Sequence, residues 1–377
     1  MRLRYGLSGL SFVIAVVIAL SSAGSAVEAC GGLFCQNIPV DQQGERIIFT
    51  MNGNGMISAY VQINYTGEAP DFSWVVPVPD VPEVDVAEMA TFDEISQLTR
   101  PTYTPPEPPE CSIVLFEMME GDTAGAAPPG GAGVEVLASG TAGPYAYDVI
   151  ASPDPNALIT WLRTNEYRIT EEMEPLVSVY IDEDMVFLAM KLQPDQGVQD
   201  IQPVVMTYAS TRPMIPLRLT AVAANPNMTV ATWIFADSQA FPFNYAHPVI
   251  DDSDIRFDFV TYNNNYQILL DQTIDLYDGR AFVTEYAQRT DVFMREFNPT
   301  DPLLVKLSTK YAYITRLIGR ISPEEMTVDP IFDFSDSLRD VSNIHDLTDF
   351  DSEVVWGCKD EPAAVEYDSS VVPPGFE

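Results

Sequence analysis

Basic side chains are scarce in this chain of 377 residues: 19 Lys plus Arg stand against 55 Asp plus Glu, and the formal net charge is −36. Nucleic acid is thereby excluded as a partner, because binding it requires cationic side chains that replace phosphate counterions. The same shortage argues against an anionic membrane surface. Histidine is scarcer still, with only His247 and His345. A three-histidine zinc centre is impossible, and a Ser-His-Asp triad would have to use one of these two. Both lie near acidic residues, and a charged or hydrogen-bonded loop histidine is the expected role of each. Gly-x-Ser-x-Gly elbows, phosphate-binding Gly-Lys-Ser/Thr loops and Gly-x-Gly-x-x-Gly turns are all missing. Past the N-terminus no stretch reaches the roughly 18 uninterrupted apolar residues of a membrane-spanning helix, so the mature chain is expected to lack one.

Apolar residues nevertheless make up 46% of the chain, enough for a buried core and unlike a disordered acidic protein. The N-terminus reads as a secretory signal peptide over residues 1–29. Arg2 and Arg4 precede an apolar run from Leu10 to Leu20, and small residues follow at Ser21 to Ala26. That run is too short to span a bilayer, which takes about 20 residues. Val27-Glu28-Ala29-Cys30 loosely resembles a lipid-attachment box that Glu28 fits poorly, so lipid anchoring at Cys30 is the less favoured alternative. An exported chain with Cys30, Cys35, Cys111 and Cys358 lies where disulfides persist. Three pairings are open to four cysteines. The favoured one joins Cys30 to Cys35, across the flexible Gly31-Gly32, and Cys111 to Cys358.

Alternating apolar residues predict a hairpin of Arg46–Met51 and Met56–Tyr65 across Asn52-Gly53-Asn54-Gly55, then a strand at Phe72–Pro77. That strand makes Trp74 a core residue rather than a recognition surface. Asp85 and Glu88 have capping-box spacing ahead of a helix with Met89, Phe92, Ile95 and Leu98 on one face. A Pro-rich linker at Thr104–Cys111, a strand at Ile113–Phe116 and a Gly-rich loop from Gly121 to Gly133 follow. Short helices are expected at Pro155–Asn165 and Glu171–Tyr180. Strands are expected at 185–192, 201–208, 215–222, 229–235 and 255–262. Asp301-Pro302 opens what reads as the longest helix, striped by Leu303, Leu304, Leu307, Tyr311, Ile314 and Ile318. Lys306, Lys310, Arg316 and Arg320 lie off that stripe and are expected to pair with the chain's own acids, such as Glu324, Glu325 or the tail.

Carboxylates are the one catalytic resource in excess, and glycoside hydrolysis needs only two at a defined separation. No pair stands out. Asp251, Asp252 and Asp254 form a candidate calcium cluster, with a looser one at Asp333, Asp336, Asp340, Asp346, Asp349 and Asp351. Neither fits an EF-hand, and a solvated acidic surface is the preferred reading. No other cofactor is expected.

Seven segments carry a family resemblance. They are Ala29-Cys-Gly-Gly-Leu-Phe-Cys-Gln36, Pro39-Val-Asp-Gln42, Glu45-Arg-Ile-Ile-Phe49, Phe72-Ser-Trp-Val-Val-Pro-Val-Pro79, Trp161-Leu-Arg-Thr-Asn-Glu-Tyr167, Arg212-Pro-Met-Ile-Pro-Leu-Arg-Leu219 and Ser322-Pro-Glu-Glu-Met-Thr327. In this order the chain resembles the bacterial exported proteins grouped as domain of unknown function 2330. The resemblance implies a secreted or surface-attached protein and brings no known activity, ligand or catalytic residue.

The expected fold is α+β and β-dominated, with two antiparallel sheet units, sandwich-like, a few covering helices and an acidic C-terminal tail. The expected division is a signal peptide at 1–29, a β-rich domain at 30–144, an α+β domain at 145–328 and an acidic tail at 329–377. The leading functional expectation is a non-enzymatic interaction or structural module at the cell surface or in the periplasm, meeting an envelope or extracellular protein or polymer. An extracellular hydrolase using paired carboxylates and a calcium-binding surface protein are the alternatives.

Overall fold

The computed structural model describes residues 42–63, 72–110, 134–167, 169–358 and 365–376. Cys30, Cys35, Cys111, the signal peptide and the segments expected at 113–116 and 121–133 lie outside them. In chain order the strands begin with β1 (Gln42–Met51), β2 (Met56–Ile63), β3 (Ser73–Val78) and β4 (Glu83–Val86). Helix α1 (Met89–Thr99), β5 (Thr102–Thr104), β6 (Glu135–Ala142), β7 (Tyr145–Ala151), α2 (Pro155–Thr164) and α3 (Glu174–Asp182) follow. Next come β8 (Val186–Leu192), β9 (Val204–Ala209), α4 (Leu217–Thr220), β10 (Ala224–Ala236), β11 (Gln239–Pro242) and α5 (Tyr266–Asp275). The last elements are β12 (Val283–Arg289), α6 (Thr290–Phe297), α7 (Pro302–Lys310), β13 (Tyr313–Ile321), β14 (Phe332–Ser335), β15 (Ile344–Asp346) and α8 (Ser352–Val355).

Seven strands form the main sheet in the order β12-β13-β10-β1-β2-β9-β4, and four form a second sheet in the order β3-β8-β7-β6. The β-dominated α+β class is as the sequence predicts. The main sheet is mixed rather than antiparallel, because β1 runs parallel to β10, its partner from far along the chain. Both sheets take strands from each side of residue 145, and residues 144 and 145 fall at the β6–β7 hairpin, whose strands pair Ala142 with Tyr145. Period two explains the layering. Ile47, Phe49, Val230, Ile234 and Leu317 share one core with residues of the second sheet, among them Trp74, Leu188 and Met190. Their sequence neighbours Ile48, Trp233 and Phe235 point to the other face, under Phe92 and Ile95 of α1, Phe293 of α6 and Leu304 and Leu307 of α7. A smaller core around Leu270, Ile274 and Trp356 lies between α5 and the C-terminal residues.

Several local expectations change. The helix opened by Asp301 and Pro302 ends at Lys310, and Ile314 and Ile318 lie on β13 instead. A spacing of four residues keeps side chains on one face of a helix and equally on one face of a strand, so the stripe could not distinguish them. Residues 215–222 form a helical turn, α4, because Pro213 and Pro216 supply no ladder donors. Residues 255–262 are irregular: the Asp258 carboxylate accepts from the backbone N–H of Val260 and Thr261 and holds a turn. Asp85 lies in β4 and does not cap α1, whose N-cap, Glu88, makes no side-chain cap bond. Pro77 stays inside β3, which is tolerated because β3 is an edge strand.

Candidate functional site

The most concentrated buried chemistry lies on the helical face of the main sheet. A register shift between Thr284 and Tyr286 makes Glu285 the extra residue of a bulge in β12. Its carboxylate meets the Arg316 Nε of β13 at 2.6 Å, with side-chain exposures of 1% and 7%. The Tyr266 hydroxyl donates to Glu285 Oε1 at 2.7 Å, and burial beside that carboxylate drives the phenol pKa well up. Arg316 Nη1 donates to the Ser96 carbonyl and to Thr99 Oγ1 of α1, and its guanidinium lies 5.2 Å from the centre of the Trp233 ring. Outward from Tyr266, the Tyr103 ring stacks on His345, whose Nδ1 is 2.7 Å from Asp252 Oδ1. These contacts join β5, β15, α5, β12, β13 and α1 through paired charges. A lone Glu in the apolar run Phe282-Val-Thr-Glu-Tyr-Ala287 and Arg316, one of two arginines in the apolar run Ile314–Ile321, were the available sequence signals.

The expected calcium trio is divided among other duties. Asp252 faces His345, Asp251 accepts from the Ser253 N–H as a cap, and Asp254 has its own interactions within the chain. In the looser cluster Asp333 pairs with Arg212, Asp340 accepts from the Tyr313 hydroxyl and Asp346 accepts from Thr348. Among the described residues no three His, Cys, Asp or Glu side chains are placed to share an ion. The four basic residues spaced along 306–320 do not act as a group either. Arg316 is buried with Glu285, Arg320 pairs with Asp271 of α5, and Lys310 donates to Asn52.

Three of the segments that carry the family resemblance are joints. In Trp161–Tyr167, Arg163 donates to the Ile169 carbonyl and pairs with Glu174 at 2.8 Å. In Arg212–Leu219, Arg212 pairs with Asp333 and lies over the Phe243 ring, while Arg218 engages both Glu183 and Asp329. Asp329 is 6% exposed; burial raises its carboxyl pKa, against the opposing pull of Arg218, and the Tyr180 hydroxyl donates to it at 2.9 Å. In Ser322–Thr327, Ser322 and Glu325 form a reciprocal capping box.

Concavities of about 440 to 480 Å³ open among the described residues, one of them, of about 460 Å³, beside Glu135, Asp182 and Asp184. Another, of about 480 Å³, sits beside the C-terminal end of α2, where Lys191 of β8 meets Glu166, Tyr167 and Asp148. Lys191 donates to the Asn165 carbonyl and lies over the Tyr167 ring, and desolvation lowers its amine pKa. Glu166 adopts a left-handed φ of 63°, a strained conformation for a side chain of this kind. Nothing in the residues around Lys191 marks it beforehand, though the Trp161–Tyr167 segment forms its wall. A further concavity, of about 440 Å³, lies between α5, residues 248–254 and residues 365–371. Asp251 and Asp368 stand at its edge, and hydrogen bonds from Ser253 and Ser370 hold both carboxyl groups below the usual carboxylate range.

Two buried titratable groups lie outside these networks. Glu45 of β1 points into the core between the sheets, its Oε2 has no hydrogen-bond partner, and burial pushes its pKa up to about 7. His247 Nε2 is 2.7 Å from Thr284 Oγ1, and burial lowers its pKa to about 4, so the ring is neutral at ordinary pH.

Among the described residues no helix is long and apolar enough to cross a membrane. No curated protein and no solved structure matches the chain. Residues 25–333 match the model of the family described as an uncharacterized protein conserved in bacteria, domain of unknown function 2330, and the chain belongs to that family.

Proposed function

We propose that the protein is exported and works without catalysis, as an interaction or structural module of the bacterial cell surface or periplasm. The observation that carries this reading is the use made of charge in the family segments. Arg163, Arg212 and Arg218 are each bound by carboxylates of their own chain, so these segments brace the fold and leave little charge to act on a substrate. A polymer hydrolase would need a carboxyl group kept protonated beside an ionised one. The acids at the edge of the 440 Å³ cavity include Asp251 and Asp368, both favoured in the ionised form, which speaks against that alternative.

Export rests on Arg2, Arg4 and the run Leu10–Leu20. The bridges Cys30–Cys35 and Cys111–Cys358 belong to the same reading. Two observations support the second: Cys358 is not a free thiol, and the neighbouring Trp356 Nε1 donates to the Pro106 carbonyl, bringing the chain near Cys111 close to the C-terminal segment. The intact mass of protein recovered from the envelope and culture fluid reads both signal cleavage and lipid on Cys30. Affinity purification of that protein from its own envelope fraction tests the function. A reproducible partner protein or polymer is expected, and turnover of an extracellular polymer that is lost on replacing a carboxylate would overturn the proposal.

A further inference from the structure

The 440 Å³ cavity has a composition that points to a ligand class. Its floor is apolar: Leu269 and Tyr277, both 2% exposed, lie beneath it, and Val365 and Val371 form the opposite wall. Its rim is anionic, with Asp251, Asp254, Glu366 and Asp368, and among the described residues no cationic side chain lines it. The wall formed by residues 365–371 is fixed to the body. The His247 N–H donates to the Val371 carbonyl at 3.1 Å, and the Tyr277 hydroxyl accepts from the Asp368 N–H at 3.0 Å. Phe376, farther along, lies under the Arg280 guanidinium at 4.2 Å. These contacts fix the wall against the body while leaving the rim carboxylates facing the cavity.

We propose that this cavity is a binding site for a small organic cation with an apolar body, of the arylalkyl- or alkylammonium class. Its volume is within the range of small-molecule sites, roughly 300 to 1,000 Å³, and is too small for a protein element. The apolar body of such a cation gains by leaving water for the floor of Leu269, Tyr277 and Val371. Its ammonium stays at the rim, where four carboxylates supply complementary charge and solvent spares it a desolvation cost. A neutral ligand of the same shape gains the first term without the second, and an anion is repelled. This site is independent of the module's role at the cell surface.

Calorimetric titration of the purified protein with 2-phenylethylamine, 2-phenylethanol and 3-phenylpropionate tests the proposal. Saturable one-to-one binding of the amine is expected, weakened about tenfold or more for the alcohol and abolished for the acid. Added salt should weaken the amine and leave the alcohol unchanged. Glu366→Gln removes rim charge without disturbing a hydrogen bond of the cavity wall, and should weaken the amine while the melting temperature holds. Val371→Arg should block it by placing a cation in the cavity. Absence of saturable amine binding, equal affinity for amine and alcohol, or indifference to both substitutions would overturn the proposal.

Discussion

Glu285 and Arg316 form an ion pair 2.6 Å apart, almost wholly removed from water, across the two strands at one end of the main sheet. Each charge is tolerable because of the other, because Tyr266 donates to Glu285 Oε1, and because Ser96 and Thr99 accept from Arg316 Nη1. Removing one partner leaves the other buried and unpaired, which costs about 3 to 5 kcal/mol, whereas replacing both by apolar residues of similar size costs far less. Arg316→Met is therefore expected to destabilise by about that amount, and Arg316→Met with Glu285→Leu by much less. Urea unfolding of the two variants, fitted with a common slope, gives the comparison. Equal losses would show that the pair does not act as a unit.

Arg218 makes the same argument for the family segment. Its guanidinium grips Glu183 with two nitrogens at 2.9 and 2.6 Å and reaches the buried Asp329 as well. Arg218→Met should cost about 3 kcal/mol or more, because Asp329 is left with the Tyr180 hydroxyl and a backbone N–H. Arg218→Lys should recover only part of this, since an ammonium cannot reproduce the two-pronged geometry. Thermal unfolding orders the three proteins, and a lysine variant as stable as the parent would refute the geometric part.

The net charge of −36 is spread over body and tail, and it is what remains when all 19 basic residues are set against acids, so ion pairing cannot remove it. Self-repulsion of this size weakens the compact state and is screened over about 10 Å at 0.1 M salt. Moderate sodium chloride should raise the melting temperature, and calcium at equal ionic strength should add little, because no three described acids converge on an ion. A large extra shift with calcium alone would reinstate a specific site.

What could be read beforehand divides along physical lines. The β1–β2 hairpin was legible because Asn52-Gly53-Asn54-Gly55 carries its own turn chemistry, and Gly53, Asn54 and Gly55 do take positive φ. Helix α2 was legible from Pro155, which opens it, and the structure adds Asp154 as its cap. The pairing of β1 with β10 was not, since no local feature of Glu45–Thr50 records a parallel partner some 185 residues away. Neither was the site chemistry. Glu285 gains its meaning from a bulge and from Arg316, and Lys191 from a wall built by another segment. His345 seemed one more residue of an acidic tail, yet it stacks on Tyr103 through the β5–β15 pairing.

His247 sets the acid limit of stability. Burial lowers its pKa from 6.5 to about 4, so between these values the unfolded chain binds a proton that the folded chain refuses. The contribution is fully present above about pH 6.5 and is lost as the pH falls through 4. His247→Gln keeps a hydrogen-bonding group for Thr284 and does not titrate, so its stability should fall less steeply over this interval. Chemical denaturation at half-unit steps of pH measures the slope, and an unchanged slope would assign the acid limit to other groups.

Glu45 works in the opposite direction. Folding raises its pKa from 4.5 to about 7, because burial in the apolar core between the sheets desolvates the carboxyl and no cation among the described residues offsets it. Between these values the folded chain holds a proton that the unfolded chain has released, so stability is full below about pH 4.5 and declines as the pH rises through 7. A shift of this size corresponds to about 3 kcal/mol above pH 7. Glu45→Gln has the same shape and carries no charge, so it should match the parent below pH 4.5 and exceed it by up to about 3 kcal/mol above pH 7. Between about pH 4.5 and 6.5 the His247 and Glu45 slopes oppose each other and nearly cancel, so the two groups leave a plateau there, and the Gln variant should turn it into a rise towards neutrality. If parent and variant lose stability in parallel from pH 5 to 8, the Glu45 carboxyl is not the group that titrates.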